Sequence, residues 1–269
     1  FWMIHDAKSN TLSALNGSGT CGKDINLDTY RGMDAIPNRG PQSAITVPGA
    51  IDSWALAHER FGTMPLTRLL APAIRYASEG VAVTQDISRW ITDDTEDFRK
   101  DPGSAGIFLK NGNAYQPGER LQQPALAKTL ENIAQHGPRY FYEETAKSIV
   151  SYLKSQGGLL TVEDFQNYHA KWVKPISTNY RGFQAFQVPP PSQGIAGLMI
   201  LNFLNGIDLS GLDSNSPEYY NAMIQAIKWA FNKRDKYLTD PEFSDIPIEK
   251  LLDPEPVSYT HLTLPTICS

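Results

Sequence analysis

The chain has 269 residues, of which 41% are hydrophobic and 20% charged, and its formal net charge is −5. This composition is typical of a globular protein with enough apolar residues for a core, and the mixed charges argue against an extended nucleic-acid surface. No apolar run approaches the roughly eighteen residues that a membrane-spanning helix needs. The two cysteines provide neither a disulfide framework nor a metal-ligand set.

The chain begins with a strand pattern. Two short apolar runs, Phe1–Ile4 and Leu12–Leu15, flank a polar turn at Asp6–Asn10 and predict paired strands. The glycines of "NGSGTCG" then predict a flexible loop. A first helix is expected over Ala50–Arg60.

The clearest helical pattern ends at Gly80, which favours a helix stop. Apolar residues recur before it at the spacing of one buried face, namely Leu66, Leu69, Leu70, Ala73, Ile74 and Ala77. Pro72 is expected to kink this helix or to mark its first turn. The run "VTQDISRWITDDTEDFRK" predicts one further helix, and Asn111-Gly112 predicts a hairpin turn.

Two more apolar stripes indicate consecutive helices. One stripe comprises Leu126, Leu130, Ile133 and Ala134, and the other comprises Phe141, Thr145, Ile149 and Leu153. Gly157-Gly158 is expected to end the second of these helices. Thr161 and Asp164 then have the spacing of a capping box at the start of a short helix.

The last part of the chain predicts strands and then two helices. "PISTNYRGFQAFQV" indicates strands, and "PPPSQG" leads into a helix that is apolar nearly all round and therefore buried, with Ser192 as its N-cap. A long helix over about Pro217–Leu238 carries one apolar stripe, formed by Tyr220, Met223, Ile227 and Phe231. Helices with a minority of paired strands indicate a mixed α/β layered domain.

No short motif identifies a catalytic or metal site. The chain lacks a glycine-rich phosphate loop, and Gly17-Ser18-Gly19 lacks the spaced glycines of a nucleophile elbow. The native histidines never fall three or four positions apart, so no zinc site is expected from them. The acidic run around Asp93–Asp97 has the pattern of a solvated helix face.

The uncharged sequence of residues 257–269 differs from the helical patterns that precede it. The peptide "VSYTHLTLPT" is what results from translating the transposon-end adapter of common sequencing libraries, and we therefore interpret 257–269 as an artefact. An edge strand and a disordered tail are the alternative interpretations. The chain also begins without an initiator Met, so we expect that both of its ends are truncated. The cellular compartment of the protein is therefore left unassigned.

Several long strings, in order and at consistent spacing, resemble the large subunit of the gamma-glutamyltransferase (gamma-glutamyltranspeptidase) family. They are "ITVPGAIDSW", "GTMPLTRLLAPAIRYASEGVAV", "QPALAKTLENIAQHGPRYFY", "GGLLTVEDFQNYHAKWVKPISTNYRGFQAFQVPPPSQG" and "NKRDKYLTDPEF". The resemblance covers residues 1–256, and "DAKSNTLSALNGSG" is similar to the bacterial gamma-glutamyltransferase-like branch.

The resemblance implies an N-terminal nucleophile hydrolase with two β-sheets between helical layers (αββα), of which this chain holds only part of the large subunit. Such a precursor cuts itself, and the new amino-terminal Thr of the small subunit becomes the nucleophile with its own α-amine as base. No cofactor is implied. The partners implied are a small γ-glutamyl or acyl amide and the protein's own small subunit. The chain alone is then expected to hold no catalytic residue, to be inactive and to be poorly stable. Thr260, Thr263 and Thr266 are not candidates for the nucleophile.

The aligned stretch "LNGSGTCG" departs from the family pattern. Typical members have Asp-Phe-Arg-Glu here, and the Arg clamps the substrate carboxylate, whereas this chain has Ser18 at the Arg position. The gamma-glutamyltransferase-like branch often has an Arg two places on, where this chain has Thr20. Asn16, Ser18 and Thr20 are the candidate substrate-binding residues of this loop, and Arg39 could supply the missing charge. The alternatives are an acylase that accepts non-glutamyl amides and a non-catalytic binding or scaffold homologue.

Overall fold

The computed structural model describes residues 1–253, so the segment 257–269 lies outside the described residues. The chain divides into two units. The sheet unit comprises Phe1–Ser18 and the chain from Ala170 onward, and the helical unit comprises Gly19–His169. Each unit has its own cluster of buried apolar side chains.

The strands are short and entirely antiparallel in their pairing. Their bounds are β1 (Trp2–Asp6), β2 (Thr11–Asn16), β3 (Val81–Ala82), β4 (Leu109–Lys110), β5 (Asn113–Ala114), β6 (Arg120–Leu121), β7 (Lys171–Val173), β8 (Ile176–Tyr180) and β9 (Phe183–Gln187).

The helices carry most of the described residues' regular structure. They are α1 (Ala50–Phe61), α2 (Leu66–Glu79), α3 (Gln85–Asp93), α4 (Thr95–Lys100), α5 (Pro102–Phe108), α6 (Pro124–His136), α7 (Ala146–Ser155), α8 (Val162–Asn167), α9 (Gly194–Asn205), α10 (Pro217–Tyr237) and α11 (Ile248–Leu251). A 3-10 turn at Leu27–Tyr30 and a π-helical turn at Phe141–Thr145 complete the set.

The sheet unit begins with the predicted pair of strands. β1 pairs with β2 in a register that sets Met3 opposite Ala14, and β2 pairs in turn with β7 through Leu15 and Trp172. The turn between β1 and β2 contains Asn10 at φ 51°, a left-handed conformation that asparagine tolerates better than most residues. β2 is the central strand of this sheet, and its end carries two of the candidate site residues.

A second hairpin in the sheet unit packs on a buried helix. β8 and β9 are joined at Arg181 and Gly182, whose φ angles of 50° and 86° fit the tight turn that a two-residue hairpin needs. The hairpin packs on α9, whose Leu198 and Met199 are fully buried. α9 is buried as its all-apolar sequence predicts.

The core of the helical unit is organised around the side chain of Tyr142. Its hydroxyl donates to the Pro48 carbonyl at 2.7 Å and accepts from the Asp52 N–H at 2.9 Å, so it joins the π-helical turn to the first turn of α1. Burial raises the pKa of Tyr142 above its ordinary value, which keeps the hydroxyl a donor. The cluster around it comprises Val47, Ile51, Ile133, Phe141, Ala146, Val150, Leu160, Phe165 and Tyr168.

Arg139 lies at the edge of the same core and stabilises it. Its guanidinium donates to the carbonyls of Tyr168 at 3.1 Å and Gln166 at 2.8 Å, and it lies 5.0 Å from the Tyr142 ring centroid. It also pairs at 3.5 Å with the buried carboxylate of Asp52. The guanidinium therefore compensates a carboxylate that would otherwise be costly to bury.

Three sequence predictions in the helical unit are wrong in part. Leu69 and Ala73 of α2 are exposed rather than buried; Leu66, Leu70 and Ile74 are half-buried and Ala77 is buried, so the covered face of α2 is narrower than predicted. The single helix expected over 83–100 is two helices, since Asp94 has φ −99° and ψ 9° and breaks it. The buried stripe after Phe141 passes through Tyr142, Ala146 and Val150, because the π-helical turn shifts the register by one residue.

Other local predictions are confirmed. Asn111-Gly112 turns the β4–β5 hairpin with both φ angles positive, at 53° and 79°. Thr161 and Asp164 form the capping box of α8. The prediction that Ser192 is the N-cap of α9 is wrong by one residue, because Gln193 holds that position; the Ser192 hydroxyl accepts from the Gly194 N–H at 3.2 Å.

We expect Tyr142→Phe to destabilise the helical unit by about 1–3 kcal/mol, because the Pro48 carbonyl and the Asp52 N–H lose their partner in a buried place. Urea unfolding of the 269-residue chain, followed by tryptophan fluorescence, measures the change. Tyr76→Phe is the matched control, since Tyr76 is 55% exposed and its hydroxyl is in water. Equal stability of the two variants would show that the Tyr142 hydroxyl does not hold the core.

Candidate functional site

Two of the candidate residues lie together at the end of β2. Asn16 is the last residue of the strand, and its side-chain oxygen accepts from the Ser18 N–H at 2.9 Å and from the Ser18 hydroxyl at 2.7 Å. Both side chains are half-buried. The pair forms a tight, neutral turn whose polar groups are fixed by each other, as Asn side chains commonly do after a strand.

Thr20 lies in the helical unit, on a loop held against the residues that precede α1. Its carbonyl accepts from the Val47 N–H at 2.9 Å. Beside it, a Cβ on Gly19 would lie 1.9 Å from the Val47 carbonyl oxygen, so only glycine allows this approach. The Thr20 side chain is exposed, and its backbone is the part that the fold fixes.

The same loop has a second anchor at Asp164. The Lys23 N–H donates to one carboxylate oxygen at 3.0 Å, and the Thr161 N–H and hydroxyl donate to the other at 2.8 and 2.7 Å. Burial acts to raise the pKa of Asp164, but these hydrogen bonds outweigh it and hold the pKa below its ordinary value. The sequence predicted the capping box but not the hydrogen bond from Lys23 to Asp164, because a contact between distant segments leaves no local sequence pattern.

Arg39 is occupied by acidic partners. Its guanidinium donates to Asp94 at 3.0 Å and pairs with Asp97 at 3.5 Å, while its own side chain is 62% exposed. The pKa of Asp97 is lowered chiefly by its hydrogen bond with Lys100, with Arg39 adding to the effect. A substrate carboxylate at Arg39 would therefore have to compete with two protein carboxylates.

Among residues 1–253 the structure contains no group of three or more His, Cys, Asp or Glu side chains that could hold a metal ion. Over the same described part of the chain, no helix is long and apolar enough to cross a membrane. In the sheet unit, the candidate residues Asn16 and Ser18 offer an amide and a hydroxyl that bind each other. In the helical unit, Thr20 offers an exposed hydroxyl and Arg39 a guanidinium that is paired with two carboxylates.

The described chain combines helices with short antiparallel strands in two units. Comparison with known families identifies the family to which it belongs. The chain matches the family model described as gamma-glutamyltranspeptidase over residues 1–262, and it belongs to this family.

The most informative relatives are a proenzyme and two solved structures. The chain is 42% identical over 254 residues to the "Glutathione hydrolase-like YwrD proenzyme" of Bacillus subtilis (strain 168), covering 94% of this chain and 48% of that protein. It is similar to the gamma-glutamyltranspeptidase of Helicobacter pylori with a TM-score of 0.90 at 29% identity, covering 95% of this chain and 75% of that one. The cephalosporin acylase of Bacillus halodurans gives a TM-score of 0.85 at 32% identity, covering 92% and 48%.

The chain thus spans about half the length of this Bacillus subtilis proenzyme. The mixed helix-and-sheet architecture expected from the sequence agrees with these structural neighbours. None of the comparisons concerns Asn16, Ser18, Thr20 or Arg39 individually, and their role in binding stays a prediction.

We expect Asp164→Asn to destabilise the chain at pH 7 by about 1–3 kcal/mol, because a charged acceptor of several hydrogen bonds is lost. Asp164 has a lowered pKa in the folded state, so its contribution is fully present above the ordinary carboxyl pKa of about 3.9 and disappears as the pH falls through the folded value. The gap between variant and unsubstituted chain should therefore close in acid.

Urea unfolding at a series of pH values between 7 and 2 measures this gap. Asp93→Asn is the control, because it makes the same chemical change at an exposed carboxylate. A gap that stays constant down to pH 2 would mean that the charge of Asp164 does not stabilise the loop.

Proposed function

We propose that this chain is the large-subunit part of a self-processing amide hydrolase that cleaves or transfers γ-glutamyl groups of glutathione-type substrates. The observation that carries the proposal is the family match over residues 1–262, joined with 42% identity to a glutathione hydrolase-like proenzyme. The complete protein has two β-sheets between helical layers, which the similarity to a gamma-glutamyltranspeptidase at a TM-score of 0.90 supports.

The nucleophile in this proposal is the hydroxyl of a Thr at the new amino terminus of the small subunit, and so lies outside this chain. Its oxygen attacks the amide carbonyl carbon, the α-amine takes the hydroxyl proton, and the leaving amine departs with a proton. Water or an acceptor amine then opens the acyl ester. The small subunit and the amide substrate are the partners of this chain, which contributes binding groups and no catalytic residue.

The binding groups are Asn16, Ser18 and Thr20, on the segment after β2. Two properties support this role. The segment is anchored to ordered backbone at both sides, through Asn16 in β2 and through the bond from the Val47 N–H to the Thr20 carbonyl. Its side chains are hydroxyls and an amide, which bind neutral or zwitterionic substrates through hydrogen bonds.

Arg39 is the fourth proposed binding residue. It carries a guanidinium that suits a substrate carboxylate, and the exposure of Arg39 itself makes its pairing with half-buried Asp94 and exposed Asp97 weak enough to be exchanged. Substrate binding at Arg39 then requires release of that pairing.

A second candidate function is hydrolysis of non-glutamyl acyl amides. The observation that favours it is the pairing of Arg39 with Asp94 and Asp97. The resemblance also implies that Ser18 stands at the position where typical family members have Arg. A neutral hydroxyl gives no fork for a carboxylate. The similarity to a cephalosporin acylase is consistent with this candidate.

The experiment begins with the reading frame of the source DNA, read before Phe1 and past Pro256. The artefact proposal for 257–269 requires that genomic DNA diverge from "VSYTHLTLPTICS" there. The completed protein is then assayed with a γ-glutamyl anilide and a simple acyl anilide. A frame with no Thr, Ser or Cys at a processing site would contradict the enzyme proposal and favour a scaffold homologue.

We expect Ser18→Arg in the completed protein to raise the ratio of γ-glutamyl to acyl hydrolysis about tenfold or more, because a charge-assisted bond to the substrate carboxylate contributes about 1.5–3 kcal/mol. Values of kcat/KM for the two anilides measure the ratio. Ser18→Gln matches the added length without the charge and should leave the ratio nearly unchanged. The same ratio in both variants would remove Ser18 from the substrate-binding wall.

A further inference from the structure

The loop from Gly19 to Lys23 is held from two sides by segments that are distant in sequence. On one side, the N–H of buried Val47 donates to the Thr20 carbonyl at 2.9 Å. On the other side, the Lys23 N–H donates to a carboxylate oxygen of Asp164 at 3.0 Å. All these residues belong to the helical unit. The backbone of Thr20 is therefore fixed, although its side chain is exposed.

The carboxylate of Asp164 divides its two oxygens between two tasks. Its Oδ2 accepts from the Thr161 N–H at 2.8 Å and from the Thr161 hydroxyl at 2.7 Å, which completes the capping box of α8. Its Oδ1 accepts from the Lys23 N–H. A capping box needs only the bond to the N-cap N–H. The start of α8 therefore does not account for the bond to the loop.

The loop also fits closely against its two supports. A Cβ on buried Gly22 would lie 3.3 Å from Oδ2 of Asp164 and 3.3 Å from Cδ2 of Leu160. At the other end, a Cβ on Gly19 would lie 1.9 Å from the Val47 carbonyl oxygen. Glycine permits such close approach of a backbone to its neighbours. The two hydrogen bonds thus act on a loop that is already packed at both ends.

We propose that Asp164 is a positioning residue for substrate binding: through the Lys23 N–H it holds the Gly19–Lys23 loop in the conformation that presents the Thr20 hydroxyl to the substrate. The inference rests on the proposed function, in which Thr20 is a binding residue. Asp164 itself does not touch the substrate. A loop that is ordered before binding loses less conformational entropy when the substrate arrives. Loss of the bond should therefore weaken binding more than it slows the chemical step.

The geometry of the loop provides a selective substitution. The Ile25 N–H donates to the Gly22 carbonyl at 3.1 Å, so Lys23 is the second residue of a β-turn, a position that proline favours. Lys23→Pro removes the N–H that donates to Asp164 and leaves the capping box intact. Lys23→Ala is the matched control, because it keeps the N–H. Both variants lose the ion pair between Lys23 and Glu163, so that the comparison isolates the backbone bond.

The first measurement is hydrogen exchange of the Val47 N–H in the 269-residue chain. This N–H bonds to the loop but is remote in sequence from the substitution. We expect Lys23→Pro to exchange it at least about fivefold faster than Lys23→Ala, because release of one side of the loop permits local opening. Circular dichroism and thermal melting establish that both variants fold. Equal exchange of the Val47 N–H in the two variants would overturn the proposal.

A second pair of variants makes the same comparison if Lys23→Pro does not fold. Asp164→Asn removes the carboxylate from the loop, and Asp101→Asn is its control. Asp101 also lies in the helical unit, and its carboxylate accepts from the Ser104 N–H at 2.7 Å to cap α5, away from the loop. Faster Val47 exchange in Asp164→Asn alone supports the proposal, and equal exchange in both overturns it.

The second measurement is the kinetics of the completed protein with the anilide that it hydrolyses. We expect KM to be about threefold to tenfold higher in Lys23→Pro than in Lys23→Ala, the factor that corresponds to one net hydrogen bond, with kcat within about twofold. A merely structural role would instead reduce the amount of folded enzyme, and so the apparent kcat, at unchanged KM. An active enzyme with equal KM in both variants would contradict the positioning role alone. Absence of hydrolysis by the unsubstituted completed protein would contradict the proposed function, and with it the substrate role of Asp164.

Discussion

The hydroxyl of Tyr142 is the contact on which the helical unit depends. It joins the π-helical turn to Pro48 and Asp52, which fixes the first turn of α1. Val47 precedes Pro48, and its N–H donates to the Thr20 carbonyl. The carbonyl oxygen of Val47 lies so close to Gly19 that a side chain there would clash with it. The hydrogen bond between Tyr142 and Pro48 therefore helps to position, through Val47, the backbone of the loop that contains the candidate residue Thr20. The stability of the core and the geometry of this loop are linked in this way.

The charges of the candidate binding residues explain why more than one class of substrate can be proposed for this chain. The segment after β2 offers an amide and hydroxyls, with Asn16 and Ser18 satisfying each other. Arg39, the candidate substitute for the missing charge, is shared between Asp94 and Asp97. A carboxylate substrate gains most from a guanidinium that has no competing partner, whereas a neutral acyl group needs none. Membership in the family is thus compatible with both of the proposed substrate classes.

Local signals in the sequence predicted local structure well. Asn111-Gly112 and the Thr161–Asp164 pair each encode a backbone geometry within a few residues, and both are as predicted. Burial patterns were less predictable, because they depend on what another segment covers. Leu69 has the spacing of a core residue, yet α2 is covered by α6 on another side. The bond from the Lys23 N–H to Asp164 joins residues 141 positions apart, and nothing in either segment specifies it.

α10 shows the same limit of sequence periodicity and gives it a physical meaning. Periodicity selects the row of Tyr220, Met223, Ile227 and Phe231 as the face for packing. In the structure, Met223 does pack against the core, whereas Tyr220, Ile227 and Phe231 are exposed. The fully covered positions of α10 are instead Ala222, Ala226 and Ala230, whose small side chains allow close packing on α9. Periodicity thus identifies an apolar row, but the element that packs against a helix decides which row is buried.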